Sequence, residues 1–150
     1  MGIQMNAPAT AAGGKLGSWK PTDKKQDDLR RNERLVYEEL CQAKSPKKAY
    51  DLLNNLHDKG VRAPMTIYRA LESLIAKGHV SKIESLNAFV AINPEHHEQV
   101  TAFLICKECL QAKEIQLSEE KIADLFSLLQ ISSDDIRIEA FGDCEQVCER

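Results

Sequence analysis

Four of the five cysteines stand in two close pairs, Cys106-Lys107-Glu108-Cys109 and Cys144-Glu145-Gln146-Val147-Cys148, with 34 residues between them (110–143). Two such pairs can bring four thiolates onto one tetrahedral zinc ion, which is borderline-soft and tolerates the geometry the protein imposes. Four sulfurs close the shell and leave no place for water, so the expected site is structural, with one zinc per chain. Two disulfides, or a redox-active Cys-x-x-Cys at Cys106 and Cys109, are the alternatives open at this point. Cys41 stands alone on an apolar helix face, where a buried core thiol is the default.

The second set of chemically suggestive residues is Ala63-Pro64-Met65-Thr66-Ile67-Tyr68-Arg69. Proline at a first helical position followed by an apolar stripe at Ile67, Ala70, Leu71, Leu74 and Ile75 predicts an amphipathic helix closed by Gly78. With that stripe buried, Thr66, Arg69 and Ser73 point outward and Tyr68 lies at the border. An arginine so placed can donate a bidentate pair to guanine, and a tyrosine can touch a thymine methyl or a phosphate. Arg30, Arg31, Arg34, Lys47, Lys48 and Arg62 would neutralise backbone phosphates, with Lys82 reaching from a wing.

These side chains need elements to hold them. From Asp27 the pattern turns helical, with Leu29, Val36, Tyr37, Leu40 and Cys41 on one face. Ser45-Pro46 predicts the start of a second helix with the stripe Ala49, Leu52, Leu53 and Leu56, ended by Gly60. HVSKIE and AFVAI, joined by Ser85-Leu86-Asn87, read as a β-hairpin. Three short helices and a hairpin are the order of a winged helix-turn-helix. Past Asn93-Pro94, QVTAFLIC and KEIQL read as a strand pair across Cys106 and Cys109. Ser118 caps a helix with Ile122, Leu125, Phe126 and Leu129 on its apolar face, and DIRIEAFG alternates like a strand. The expected fold class is α+β: an N-terminal winged helix-turn-helix (24–92), then a small α/β dimerisation domain with a four-cysteine zinc clasp (93–150). Residues 1–23, rich in Ala, Gly, Pro and Thr, read as a mobile tail.

Charge divides the same way. Lys24 to Lys82 carry 13 Lys and Arg against 8 Asp and Glu, whereas Ile83 to Arg150 carry 5 against 14. A basic half joined to an acidic half suggests that one end meets a polyanion and the other does not. No apolar run approaches the roughly 20 residues that cross a bilayer, and no secretory signal opens the chain, so a cytoplasmic protein is expected. No Ser/His/Asp order, phosphate-binding glycine loop or carboxylate pair points to an enzyme.

The stretch APMTIYRALESLIAKGHVSKIESLNAFVAI, followed by AFLICKEC and KEI, resembles the ferric-uptake-regulator (Fur) superfamily, most closely its zinc-uptake-regulator (Zur) branch. The TIYRALESL helix and the ESLNAFV wing are specific, and the resemblance runs from about Leu29 to Cys148. It implies a homodimer that binds a palindromic operator in double-stranded DNA and represses metal-uptake genes when its metal is bound. It also implies Tyr68 and Arg69 as the base-reading pair and structural zinc on the four cysteines. Members carry a second, regulatory metal between the domains, and this chain departs from the pattern there. Two of the four ligand places fall on Ser81 and Ile92, a third falls nearest Val100, and Glu114 alone matches. His96 and His97 are candidate substitutes, and Cys109 is followed by Leu110 where the family has glycine. The expected function is therefore a metal-dependent DNA-binding regulator; the alternatives are a thiol-redox protein built on Cys106 and Cys109, or a metal-blind dimeric interaction protein of the same fold.

Overall fold

The computed structural model describes residues 28–93, 101–132 and 136–148. The N-terminal tail and the His96-His97 pair lie outside these residues. The elements run α1 (Arg31–Gln42), α2 (Ala49–Leu56), α3 (Pro64–Ala76), β1 (Val80–Ile83), a 3-10 turn (Glu84–Leu86) and β2 (Ala88–Ala91). They continue with β3 (Thr101–Cys106), β4 (Ala112–Gln116), α4 (Glu119–Leu129), β5 (Ile138–Gly142) and the short α5 (Cys144–Val147).

One apolar core gathers the three N-terminal helices under the hairpin. Val36, Tyr37, Leu40, Leu52, Leu56, Ile67, Leu71 and Leu74 form its centre, and Val80 and Phe89 close it from the strands. Each fully buried leucine contributes roughly 2 kcal/mol by removing its side chain from water. The helix periods read from the sequence therefore hold for α1, α2 and most of α3. Gly60 and Gly78 end α2 and α3 with φ of 91° and 73°, a conformation glycine adopts without steric cost.

Three details differ from the sequence reading. Ser45-Pro46 does not start α2: Lys47 instead exchanges two backbone hydrogen bonds with Phe89 of β2, at 3.0 and 2.8 Å. The helix begins at Ala49, where the Asp51 carboxylate accepts the Lys48 N–H at 3.2 Å. Ile75, placed in the buried stripe of α3, is exposed because it falls at the edge of that face. The apolar face of α4 is also largely open, with Ile122 buried and Leu129 exposed.

The hairpin pairs antiparallel from Val80–Ala91 to Ile83–Ala88, and Asn87 takes the left-handed turn position at φ 47°. The C-terminal sheet has the order β4-β3-β5. β4 lies antiparallel to β3, and β5 lies parallel to it after the α4 crossover. Ser118 caps α4 as expected, accepting the Lys121 N–H.

Candidate metal centre and nucleic-acid interface

Strand direction assembles the cysteine cluster. Cys106 is the last residue of β3 and Cys144 follows the last residue of β5 by two positions; because β3 and β5 run parallel, both ends meet. Cys106 and Gly142 are direct neighbours in the ladder, and the Lys107 N–H bonds the Gly142 carbonyl at 3.0 Å. A Cβ on Gly142 would stand 2.9 Å from Gln146 Oε1 and 3.2 Å from Val147 Cγ2, so its hydrogen lets α5 fold tightly against the strand end.

The resulting Sγ atoms lie 3.2 Å apart for Cys106–Cys144, 3.2 Å for Cys109–Cys148 and 3.9 Å for Cys144–Cys148. All four lie within 4.8 Å of one another. Zinc–sulfur bonds of about 2.3 Å in a tetrahedron put sulfurs about 3.8 Å apart, inside this range. The donor set fits a zinc ion. All five cysteines are free thiols here, and the four clustered sulfurs stand at separations longer than a disulfide bond. The contacts Cys106–Cys144 and Cys109–Cys148 each join one cysteine pair to the other, as ligands of a shared ion would.

The Cys109 N–H directed at Cys106 Sγ lowers the Cys106 thiol to about 6, which favours a thiolate on a fully buried sulfur. Its hydrogen bond with Cys106 moves Cys144 the other way, and that with Cys109 pushes Cys148 up to about 11. Cys41 is half-buried against the N-terminal core rather than inside it, its thiol pushed up to about 11 by desolvation.

Leu110 follows the first cysteine pair at φ 59°, its N–H bonding the Cys106 carbonyl at 3.1 Å. The knuckle after Cys109 therefore needs the left-handed conformation that glycine supplies freely, and here leucine is held in it.

Glu114 is half-buried on β4, opposite Phe103 of β3. Ser81 lies on β1 and Ile92 just past β2, and neither an aliphatic side chain nor a lone hydroxyl makes a transition-metal cage. Among the described residues, the four cysteines are the single group of three or more ligating side chains close enough to share an ion.

The exposed start of α3 carries the candidate DNA contacts. Ile67, Ala70 and Leu71 are buried, while Met65, Tyr68 and Arg69 are exposed and Thr66 is half-buried. Ser73 is corrected: its hydroxyl turns inward and donates to Glu33 at 2.8 Å. Lys48 and Arg62 are exposed and Lys47 is half-buried. Arg31 is exposed but donates to the Lys59 carbonyl at 2.9 Å, bracing the α2–α3 connection. Arg34 reaches the Leu29 carbonyl at 3.5 Å. Lys82 pairs with Glu84 at 2.8 Å on the hairpin. Sequence reasoning passed over Tyr50, a 71% exposed aromatic in the first turn of α2. Its exposure was legible in principle, since it precedes the buried Leu52 by two positions on a helix.

No protein-family model matches the chain. Zinc uptake regulation proteins of Escherichia coli (strain K12) and Shigella flexneri are each 41% identical to it over 71 residues. That match takes in 44% of this chain and 40% of theirs, so the chain spans about two fifths of the length of the curated relatives it matches. A crystal structure of holo XcZur superposes with a TM-score of 0.67 at 33% identity, covering 79% of this chain and 84% of that one. A zinc uptake regulator complexed with zinc and DNA gives a TM-score of 0.67 at 28% identity, covering 81% and 85%. The Vibrio cholerae ferric uptake regulator, at 19% identity and a TM-score of 0.51, shares the fold.

Proposed function

The chain belongs to the zinc-uptake-regulator branch of the Fur superfamily, and from that premise we propose that it is a homodimeric, zinc-containing, sequence-specific DNA-binding transcriptional regulator that represses genes of metal uptake, zinc foremost. Residues 24–92 would form the DNA-binding domain and residues 93–150 the dimerisation and metal-binding domain. The observation that carries the reading is α3: its inner face is locked into the core while Tyr68 and Arg69 stand exposed near its N-terminus. This is how a recognition helix presents side chains to base edges in a major groove. Thr66 joins them, and Lys47, Lys48, Arg62, Arg31, Arg34 and Lys82 supply positive charge for the phosphates.

The C-terminal domain supports the dimer. Leu128, Leu129 and Phe141 are exposed by 79%, 53% and 47%, an apolar surface of the kind a second copy covers. Two copies related by a two-fold axis match a palindromic operator. One zinc per chain on Cys106, Cys109, Cys144 and Cys148 would supply folding energy by fastening α5 to the β3–β4 knuckle. Glu114, with His96 or His97, is the remaining candidate for a second ion. No helix among the described residues is long and apolar enough to cross a membrane. A regulator of this kind works in the cytoplasm, beside DNA, and we assign it no catalytic activity.

Selection of a preferred duplex from random DNA tests the reading. Affinity for that duplex should fall steeply between two salt concentrations, because bound phosphates release counterions. Binding that ignores both salt and sequence would overturn it, and a dimer that selects no duplex would favour the metal-blind interaction protein.

A further inference from the structure

The hairpin and the C-terminal sheet share a second apolar core. Ile83 and Val90 of the hairpin pack with Phe103, Ile105 and Ala112 of β3 and β4, and Leu86 and Ile92 flank them. Burial along this seam is nearly complete: Ile83 and Ile105 are both 0% exposed. A polar contact is built over the apolar one. The Glu139 carboxylate of β5 accepts the backbone N–H of Glu84 at 2.6 Å through Oε1 and that of Ser85 at 3.0 Å through Oε2.

Glu84 and Ser85 open the 3-10 turn at the tip of the hairpin, where N–H groups have no partner within the turn itself. A side chain from another domain therefore performs the capping that the turn's own sequence does not. Bonds from N–H groups to an ionised carboxylate are among the stronger hydrogen bonds. Arg137, on the approach to β5, donates to the Glu84 carboxylate at 2.8 Å, and Lys82 meets the other oxygen of that carboxylate at 2.8 Å.

We propose that Glu139 is a positioning residue that, with this apolar seam, sets the angle of the hairpin, and through it α3, against the C-terminal sheet in the DNA-binding arrangement. The inference rests on the DNA-binding reading for its functional half. It goes beyond that reading in assigning the domain arrangement to the chain's own side chains.

The test uses the full-length, zinc-loaded protein and a duplex selected from random DNA by the wild type. Glu139→Ala should raise amide hydrogen exchange in the segment 83–87 while zinc content stays at the wild-type value. Affinity for the selected duplex should fall about tenfold, well within the span of domain couplings. Glu139→Gln, which keeps the side-chain volume and one acceptor oxygen, should give the same changes at smaller size and covers the case in which the alanine variant fails to fold. Glu84→Ala should leave the exchange of 83–87 nearly unchanged, since Glu139 holds main-chain N–H groups.

Unchanged exchange in both Glu139 variants would overturn the latch whatever the DNA result. Raised exchange with full operator affinity would overturn its positioning role. A wild type that selects no duplex would strike down the DNA reading together with the positioning role, and the exchange result would then decide the latch alone.

Discussion

Lys77 Nζ lies 2.9 Å from the Glu33 carboxylate and joins the last turn of α3 to the first turn of α1. The same carboxylate, buried at 6% exposure, also accepts the Ser73 hydroxyl at 2.8 Å and the Arg30 N–H at 3.0 Å. A buried acid with three donors is a joint between helices, and it fixes the α3 axis from the end opposite to Tyr68 and Arg69.

Removing that joint should be costly. Burial pushes the Glu33 carboxyl up, but the Lys77, Ser73 and Arg30 donors outweigh it and hold it below its ordinary value of 4.5. A lowered folded pKa contributes stability that is full above the unfolded value and is lost as pH falls through the folded one. Glu33→Gln should therefore destabilise by about 1–2 kcal/mol near pH 7, because the buried acid loses charge-assisted hydrogen bonds while Lys77 stays solvated. The gap between variant and wild type should narrow as the pH falls below the ordinary carboxyl value of 4.5. Urea melts from pH 7 to pH 3 provide the check.

Stripping the metal should act on one half of the molecule. A strong chelator is expected to release one zinc per chain and to abolish exchange protection in β3, β4 and β5. Protection in α1, α2 and α3, whose core is separate from the cysteine cluster, should largely survive. Cys148→Ser should behave in the same way. Affinity for zinc should fall as pH drops from 8 to 6, because Cys144 and Cys148 hold their protons more firmly than an ordinary thiol.

Arg69→Ala should cost about 1–3 kcal/mol on the selected duplex and relax preference at one base position. Lys48→Ala should weaken binding to all duplexes alike and lower the slope of affinity against salt by about one. Binding isotherms on matched and mismatched duplexes separate the two behaviours. An equal loss for Arg69→Ala on every duplex would demote it to a phosphate contact.

The knuckle residue offers a stabilising change. Leu110 sits at φ 59°, where a side chain costs about 1–2 kcal/mol relative to a right-handed conformation. Leu110→Gly should raise stability by about 1 kcal/mol and slow zinc loss to a chelator. A lower melting temperature would show that the partly exposed leucine side chain contributes more packing than its backbone costs.

The cysteine pairs, the stripe of α3 and the hairpin were legible because each is a local pattern: a ligand spacing, a 3.6-residue period or a run of β-branched residues. Glu33 and Glu139 were not, although both organise the domain they serve. Each is an acid in a helix or strand whose partners lie 40 and 55 positions away, and sequence periodicity carries no such information. Ser45-Pro46 carried a sound helix-start signal that a tertiary contact overrode, since pairing of Lys47 with Phe89 satisfies backbone groups that a helix would have used. The open face of α4 has the opposite origin. Its period was read correctly, but the surface that would cover it belongs to no described part of the same chain.

The parallel pairing of β3 with β5 has a consequence for assembly. A slip of one residue along the ladder would carry Cys144 about 3.3 Å along the strand, as far as the whole Cys106–Cys144 sulfur separation of 3.2 Å. It would also turn every β5 side chain to the opposite face. The native register presents four sulfurs to one ion, so a bound ion favours the correctly threaded sheet over its nearest competitor.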